Sequence, residues 1–361
     1  MKQKLRRETG ITLVALVVTI VVLLILAGVT LMYTMGDNSI FKKAQDAKEK
    51  TAEAIKNEQE YINSIDNMVD EYLNGTGSEG TTEPIDVPIE NIKSDWATLE
   101  QIAKEIANDN TITSETEEVK VVVDGKRYTI KPGDIFEVEY NGEVRRVRVL
   151  GFKHDDLVDT TVYGGTHTKA GISFEFYDFI IGNTSKSMNN SATNSGGWAV
   201  TQMRKDLNGY NNNDAVQSGT IGGLGTNLNN RSYIKQVKKN YIAIYNDANS
   251  VTTCNDYLWI LSCSEVWSKG RSDLSSTKYG TAIGKEGNQY KWYKDNENGI
   301  DPSASNSNFI NKSPLSGNTN WWWLRSPIYD GNVYFCGVNS NGSSTAGSAS
   351  GTGGVAPGFC I

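Results

Sequence analysis

The sequence predicts an α+β protein: a long N-terminal transmembrane and stalk helix, then a head of antiparallel strands and long polar loops. Three observations carry this. Residues 11–35 contain no charged side chain and no proline. From Glu118 the apolar period shortens to two, punctuated by Asp124-Gly125 and Asn141-Gly142, a pattern of hairpins. Residues 180–230 and 295–354 are crowded with Asn, Ser, Gly and Thr, the composition of loops. At 361 residues the chain is long enough for more than one domain.

The order of segments follows from the N-terminus. Lys2, Lys4, Arg6 and Arg7 precede Glu8, Thr9 and Gly10. A helix over 11–35 rises roughly 37 Å, and about 20 apolar residues cross the hydrocarbon core. Only helices and closed barrels satisfy their backbone in lipid, so the segment is expected to be helical. The basic flank predicts a cytoplasmic N-terminus and a single pass through the cell membrane, with the head extracellular at the cell surface. A secretory signal peptide would have a shorter apolar region and a small-x-small cleavage site. A plain signal anchor fits the same residues.

The run Gly10-Ile11-Thr12-Leu13-Val14-Ala15-Leu16 resembles the type IV prepilin segment, also called the pilin N-terminal methylation segment. There a membrane peptidase cuts after the glycine. The resemblance covers about the first 35 residues. It implies a leader over residues 1–10, cleavage between Gly10 and Ile11, and a prepilin peptidase as partner. Ile11 stands where Phe is usual. Ala15 stands where major pilins carry the Glu that neutralises a neighbour's N-terminal amine, so processing is implied more strongly than pilin-like assembly.

Residues 36–73 read as a stalk helix. Ile55, Ile62, Ile65, Val69 and Tyr72 recur at helical spacings after a Ser39 N-cap. An amphipathic helix packed on the head fits the same pattern. Residues 74–93, rich in Gly, Thr and Pro, are expected to be a linker. Ser94 is placed as the cap of a short helical segment, 94–117, with Trp96, Leu99, Ile102 and Ile106 on one face. The head is expected over 118–361. It holds a meander (VKVVV, RYTI, IFEVEY, EVRRVRVLGF), a strand in ISFEFYDFI, helices over 197–208 and 232–242, a short strand in DYLWILS, and the tail segments WWWLRSP, VYFCGV and GGVAPGFCI.

Composition excludes several functions. A net charge of −7 without a dense basic patch argues against nucleic acid as partner. There is no HExxH, no CxxC and no Walker-type glycine loop, so no metal and no cofactor is expected. His154 beside Asp155 and Asp156, and His167 between Thr166 and Thr168, sit in polar stretches where a lone histidine is seldom a ligand or base. No nucleophile–base–orienter set can be assembled, and no enzyme is expected. Four cysteines permit three pairings. Cys254–Cys263 and Cys336–Cys360 are the sequence-local candidates, with buried free thiols as the alternative.

The residues Trp322-Trp323-Leu324-Arg325-Ser326-Pro327, Val338, Gly342 and Gly354-Val355-Ala356-Pro357-Gly358-Phe359 resemble the tail of a bacterial extracellular family ending in WWLRSP…GVxP. Gly196-Gly197-Trp198, Met203-Arg204, Leu207-Asn208 and Leu258–Ser262 fit the same family upstream, so the resemblance spans 118–361. That family resembles C-type-lectin-like folds, including the formylglycine-generating-enzyme type and the targets of diversity-generating retroelements. The resemblance implies a C-type-lectin-like head on a Gram-positive surface, with a variable, ligand-binding loop after the Trp-Arg-Ser segment. Ala356 replaces the arginine usual at its position.

Within this tail, Trp321, Trp322 and Trp323 are expected to be mostly core, with Trp321 and Trp323 on one strand face. Arg325 is expected to tie down a loop. Ile328–Ser350 differs: Tyr329, Asp330, Asn332, Tyr334, Asn339, Asn341, Ser343, Ser344, Thr345 and Ser348 offer amphipathic rings and small adaptable polar groups, the chemistry of paratopes. They are the candidate ligand-binding residues, for a protein or carbohydrate. A solvated irregular loop has the same composition. The leading functional expectation is therefore a membrane-anchored, pilin-like surface protein displaying an adhesin or receptor domain. The alternatives are a minor pseudopilin with a structural role in a type IV pilus-like or type II secretion-like assembly, and, ranked lowest, a formylglycine-generating-like enzyme.

Overall fold

The computed structural model describes residues 83–88, 95–140, 143–180, 186–210, 232–244, 247, 250–267, 284–296, 312, 320–328 and 332–361, together with Val18, Val21, Lys48, Thr51, Ile55 and Ile62. The chain divides into two compact units, Met1–Thr82 and Glu83–Ile361. The six described residues of the first unit are helical and exposed. The leader, the Gly10–Ile11 cleavage position, Ala15 and most of 11–73 lie outside the described residues.

Two expectations are corrected. Among the described residues no helix is long and apolar enough to cross a membrane. The longest described helix, Trp96–Asn108, has 13 residues and carries Glu100, Lys104 and Glu105, where a span needs about 20 predominantly apolar ones. The single-pass anchor over 11–35 and the cell-surface localisation built on it therefore find no support among the described residues. The α+β architecture with a C-type-lectin-like head gives way too. The described residues of 83–361 form four small sheets with a few short helices.

In the first sheet, β2 (Val119–Val123) and β3 (Lys126–Ile130) make a hairpin. Asp124 and Gly125 take φ 49° and 73°, as a two-residue type I′ turn requires. Val119, Val121 and Val123 point into the core while Lys120 and Val122 face solvent. β1 (Ile85–Val87) joins β3 in parallel, so part of the stretch expected as linker is built into the fold. Helix α1 (Trp96–Asn108) buries Trp96, Leu99, Ile102, Ala103 and Ile106 in the same core. Its cap is Asp95, not Ser94: the Asp95 carboxylate accepts from Thr98 N at 3.0 Å.

The meander does not stay in one sheet. After the 131–134 turn, β4 (Ile135–Tyr140) and β5 (Glu143–Phe152) enter a five-stranded sheet with β7 (Ile172–Phe176), β10 (Leu258–Trp259) and β14 (Gly358–Cys360). Its order is β10-β14-β7-β5-β4. The chain end is thus an interior strand, paired to β7 and β10, and β7 is buried throughout.

The third sheet is β6 (Asp156–Leu157), β8 (Val237–Ile242) and β9 (Val251–Asp256). The expected helix over 232–242 is mostly strand β8. Ile234, Val237 and Tyr241 have helical spacing, but the buried positions alternate as Val237, Lys239 and Tyr241, with Lys239 pointing inward as an ion partner. A 3-10 turn (Trp198–Val200) and α2 (Gln202–Asn208) fill the expected helical stretch over 197–208. Two short helices, α3 (Cys263–Val266) and α4 (Lys291–Asp295), precede the last sheet. That sheet is a meander of β11 (Trp322–Ile328), β12 (Tyr334–Val338) and β13 (Ser344–Ser348).

Candidate functional site

The β11–β12–β13 sheet carries the described candidate residues. Its register sets Trp322, Val338 and Ser344 in one row and Trp323, Gly337 and Thr345 in the next. Trp323 and Phe335 join the main core, whereas Trp322, Leu324, Ile328, Cys336 and Val338 join a second apolar cluster. Both faces of the sheet are therefore used for packing. Trp321 meets Trp323 edge-on, with ring centroids 4.5 Å apart. Gly347 lies beneath them, where a Cβ would stand 2.5 Å from the Trp323 ring and 2.7 Å from that of Trp321. The tryptophan run is packing, not an open platform.

The candidate binding residues divide between the two ends of β12. Tyr329 and Asp330 lie outside the described residues. Asn332 is exposed at φ 57°, a left-handed tip position that Asn tolerates. Tyr334 is half-buried and pairs across the strands with Ser348, whose hydroxyl lies 3.3 Å from that of Ser350. At the other end, roughly 13 Å away at strand rise, Asn339, Asn341 and Ser343 bond one another. Asn339 Nδ2 donates to Ser343 Oγ at 3.0 Å, and Asn341 Oδ1 accepts from Ser343 N at 3.1 Å and Oγ at 2.8 Å. These three build the turn. Ser344 is buried and Thr345 half-buried on opposite faces of β13. Asn332, Tyr334 and Ser348 thus share one end of the sheet, while exposed Asn341, with Asn339 and Ser343, occupies the other.

Asn194 holds this tip, and composition concealed it in a polar run. Its side chain is 3% exposed. Its Nδ2 donates to Ile328 O at 2.9 Å and Tyr334 O at 3.0 Å, and its backbone N to Asn332 O at 2.9 Å. Asn194→Ala leaves two strand-end carbonyls short of a donor. We expect a loss of about 1–3 kcal/mol in urea unfolding and faster amide exchange confined to 328–334. Unchanged exchange there would show that the tip is held otherwise.

Three buried ionic networks stand among the described residues. In the first, Arg325 forks onto Glu265 at 2.5 and 2.8 Å and also donates to the carbonyls of Ile260, Asn240 and Glu286. Lys239 bridges Glu265 at 2.6 Å and Asp155 at 2.7 Å, with Tyr290 Oη at 3.1 Å. Burial pushes the Glu265 carboxyl up, but Arg325 and Lys239 outweigh it and hold it below its ordinary range. Asp155 is likewise held well below, burial being outweighed by Lys239 and His154. Glu286 is the exception: burial outweighs Arg325 and raises its carboxyl to about 7. It accepts from Ile242 N at 3.1 Å and from Ser326 Oγ.

In the second network Glu175 gathers Arg148 at 3.4 Å, Lys312 at 3.2 Å and Tyr293 Oη at 2.9 Å. In the third, Asp256 accepts from Arg204 Nε at 2.6 Å and Trp198 Nε1 at 2.7 Å. Arg325 and Arg204 are fully buried, so neither can meet a ligand. His154 lies tilted over Tyr290 with ring centroids 4.0 Å apart, and its Nε2 is 3.1 Å from Asn288 O.

A protein-family model described as a domain of unknown function, DUF6273, matches residues 177–361, just over half the chain. The chain belongs to the DUF6273 family. No curated protein and no solved structure matches it. The DUF6273 span contains the whole candidate site, yet it does not close its core alone. Asp155, Arg148 and Glu175 come from upstream, and β14 pairs with upstream β7. The DUF6273 segment of this chain is therefore one part of the larger unit Glu83–Ile361.

All four cysteines are buried thiols. Cys254 lies 3.4 Å from Asp256 Oδ2, and Cys360 lies 3.4 Å from both Asp155 Oδ2 and Ser173 Oγ. Neither sequence-local pairing is brought together; Cys263 instead meets Cys336. Among the described residues no group of His, Cys, Asp and Glu side chains is arranged to hold a metal ion.

Proposed function

We propose that residues 83–361 form a non-catalytic ligand-binding domain, of adhesin or receptor type, recognising a protein or carbohydrate through the β11–β12 tip. One observation carries the reading. An exposed polar tip bearing Asn332, with Tyr334 and Ser348 beside it, is clamped by buried Asn194 onto a sheet packed on both faces. A recognition surface gains affinity when its side chains are already ordered before contact, and Tyr and Asn supply area and hydrogen bonds at small entropic cost. The groups with nucleophilic chemistry speak for binding rather than catalysis. Ser173 and Cys360 touch Asp155 but are fully buried.

The test probes the full-length chain against a glycan array and a displayed heptapeptide library. We expect Asn332→Ala/Tyr334→Ala/Ser348→Ala to lose at least ~10-fold in affinity for whatever the wild type selects, as removal of a central aromatic contact does. Asn339→Ala, at the far turn, should retain it. Equal binding by both variants, or no selected ligand in either library, would overturn the reading.

A further inference from the structure

The two thiols that meet are held from both sides. Cys263 begins helix α3, whose start is fixed by a reciprocal cap: Ser262 Oγ accepts from Glu265 N at 3.2 Å, and Glu265 Oε2 accepts from Ser262 N at 2.9 Å. The Cys263 backbone N donates to Ser326 Oγ at 2.9 Å. Ser326 lies where the β11–β12 register shifts, between the pairs Trp323–Gly337 and Pro327–Phe335, beside Cys336 on the neighbouring strand. Both cysteines belong to the second apolar cluster, 3% and 0% exposed. The Cys263 thiol is in hydrogen-bonding contact with Cys336; burial first, then this neighbour, holds it well above the ordinary thiol range. The other two thiols are occupied elsewhere, Cys254 by Asp256 and Cys360 by Ser173 and Asp155.

We infer that Cys263 and Cys336 are a disulfide-forming pair, the modification site that fastens helix α3 to the central strand of the last sheet. The inference stands whether or not the tip binds a ligand. The oxidant is a small-molecule disulfide such as oxidised glutathione. One cysteine, as thiolate, attacks a glutathione sulfur and releases one glutathione thiol. The second then attacks the mixed disulfide at the protein sulfur and releases the other. Two S–H bonds and one S–S bond are exchanged for one S–S bond and two S–H bonds. The protein pair is oxidised and the glutathione reduced. In the closed fold neither thiol is accessible, so both folded states resist exchange and the bond forms as the chain folds.

The experiment unfolds the full-length chain in guanidinium and refolds it in a glutathione redox buffer, then alkylates and maps peptides. We expect two of the four thiols to be protected, with a Cys263–Cys336 linked peptide. The link should persist in Cys254→Ser/Cys360→Ser and vanish in Cys263→Ser. It closes about 70 residues of intervening chain, so the oxidised form should melt about 10 °C above the reduced form. Four alkylated cysteines, or a link between any other pair, would overturn the assignment.

Discussion

Arg325→Met is expected to destabilise the 83–361 unit by about 3–5 kcal/mol, the cost of breaking a buried ion pair from one side. The substitution keeps an apolar stem of similar length but removes five donors. Glu265 then keeps Lys239 at 2.6 Å and loses its bidentate partner, while the carbonyls of Ile260, Asn240 and Glu286 lose theirs. Glu265→Leu should cost a similar amount, because it leaves Arg325 and Lys239 as like charges with one carboxylate fewer. The decisive quantity is the double variant. If the two side chains act chiefly on each other, Arg325→Met/Glu265→Leu should lose less than the two single costs together, by about 1–3 kcal/mol. Urea unfolding of all four proteins gives the cycle. Additivity within about 0.5 kcal/mol would mean that Arg325 acts mainly through the carbonyls it caps.

The weight resting on such pairs explains which parts of the molecule the sequence displays. Strands β2 to β5 are readable because valines alternate with charged residues and because Asp124-Gly125 has one favoured geometry. The change of sheet after β3 is not readable, since the 131–134 turn chemistry is the same whether the next strand pairs locally or elsewhere. Strand β8 was hidden by Lys239: a buried lysine breaks the apolar alternation by which strands are recognised, and its partners Asp155 and Glu265 are far off in sequence. The candidate site shows the same limit. Composition singled out Asn339, Asn341 and Ser343 with Asn332 and Tyr334, but the first three spend their hydrogen bonds on one another. Asn194 went unseen because its acceptors are backbone carbonyls of a strand pair more than a hundred residues on. The thiols repeat the lesson: the pair nearest in sequence does not meet, and Cys263 meets Cys336.

Glu286→Gln is expected to stabilise the fold at pH 7.5 and above and to flatten its pH dependence. Glu286 is fully buried, and its carboxyl, ordinarily near 4.5, is raised to about 7 by that burial. Between these values the folded chain holds a proton that the unfolded chain has released. Stability therefore falls as pH rises through this window, by roughly 3 kcal/mol in all for a group this far displaced. Glutamine keeps both contacts: its oxygen can accept from Ile242 N, and its amide can donate to Ser326 Oγ, replacing the charge with a neutral group of equal shape. Other groups do not imitate the effect. Asp155 and Glu265 are held low, so their contribution is present above the ordinary carboxylate range and is lost only on acidification. Lys312, brought down to about 8 by burial, titrates above the window. Urea midpoints from pH 5 to 7.5 should fall for the wild type and stay level for Glu286→Gln, the curves meeting near pH 5. Parallel curves would place the proton elsewhere in the network and leave Glu286 ionised beside Arg325.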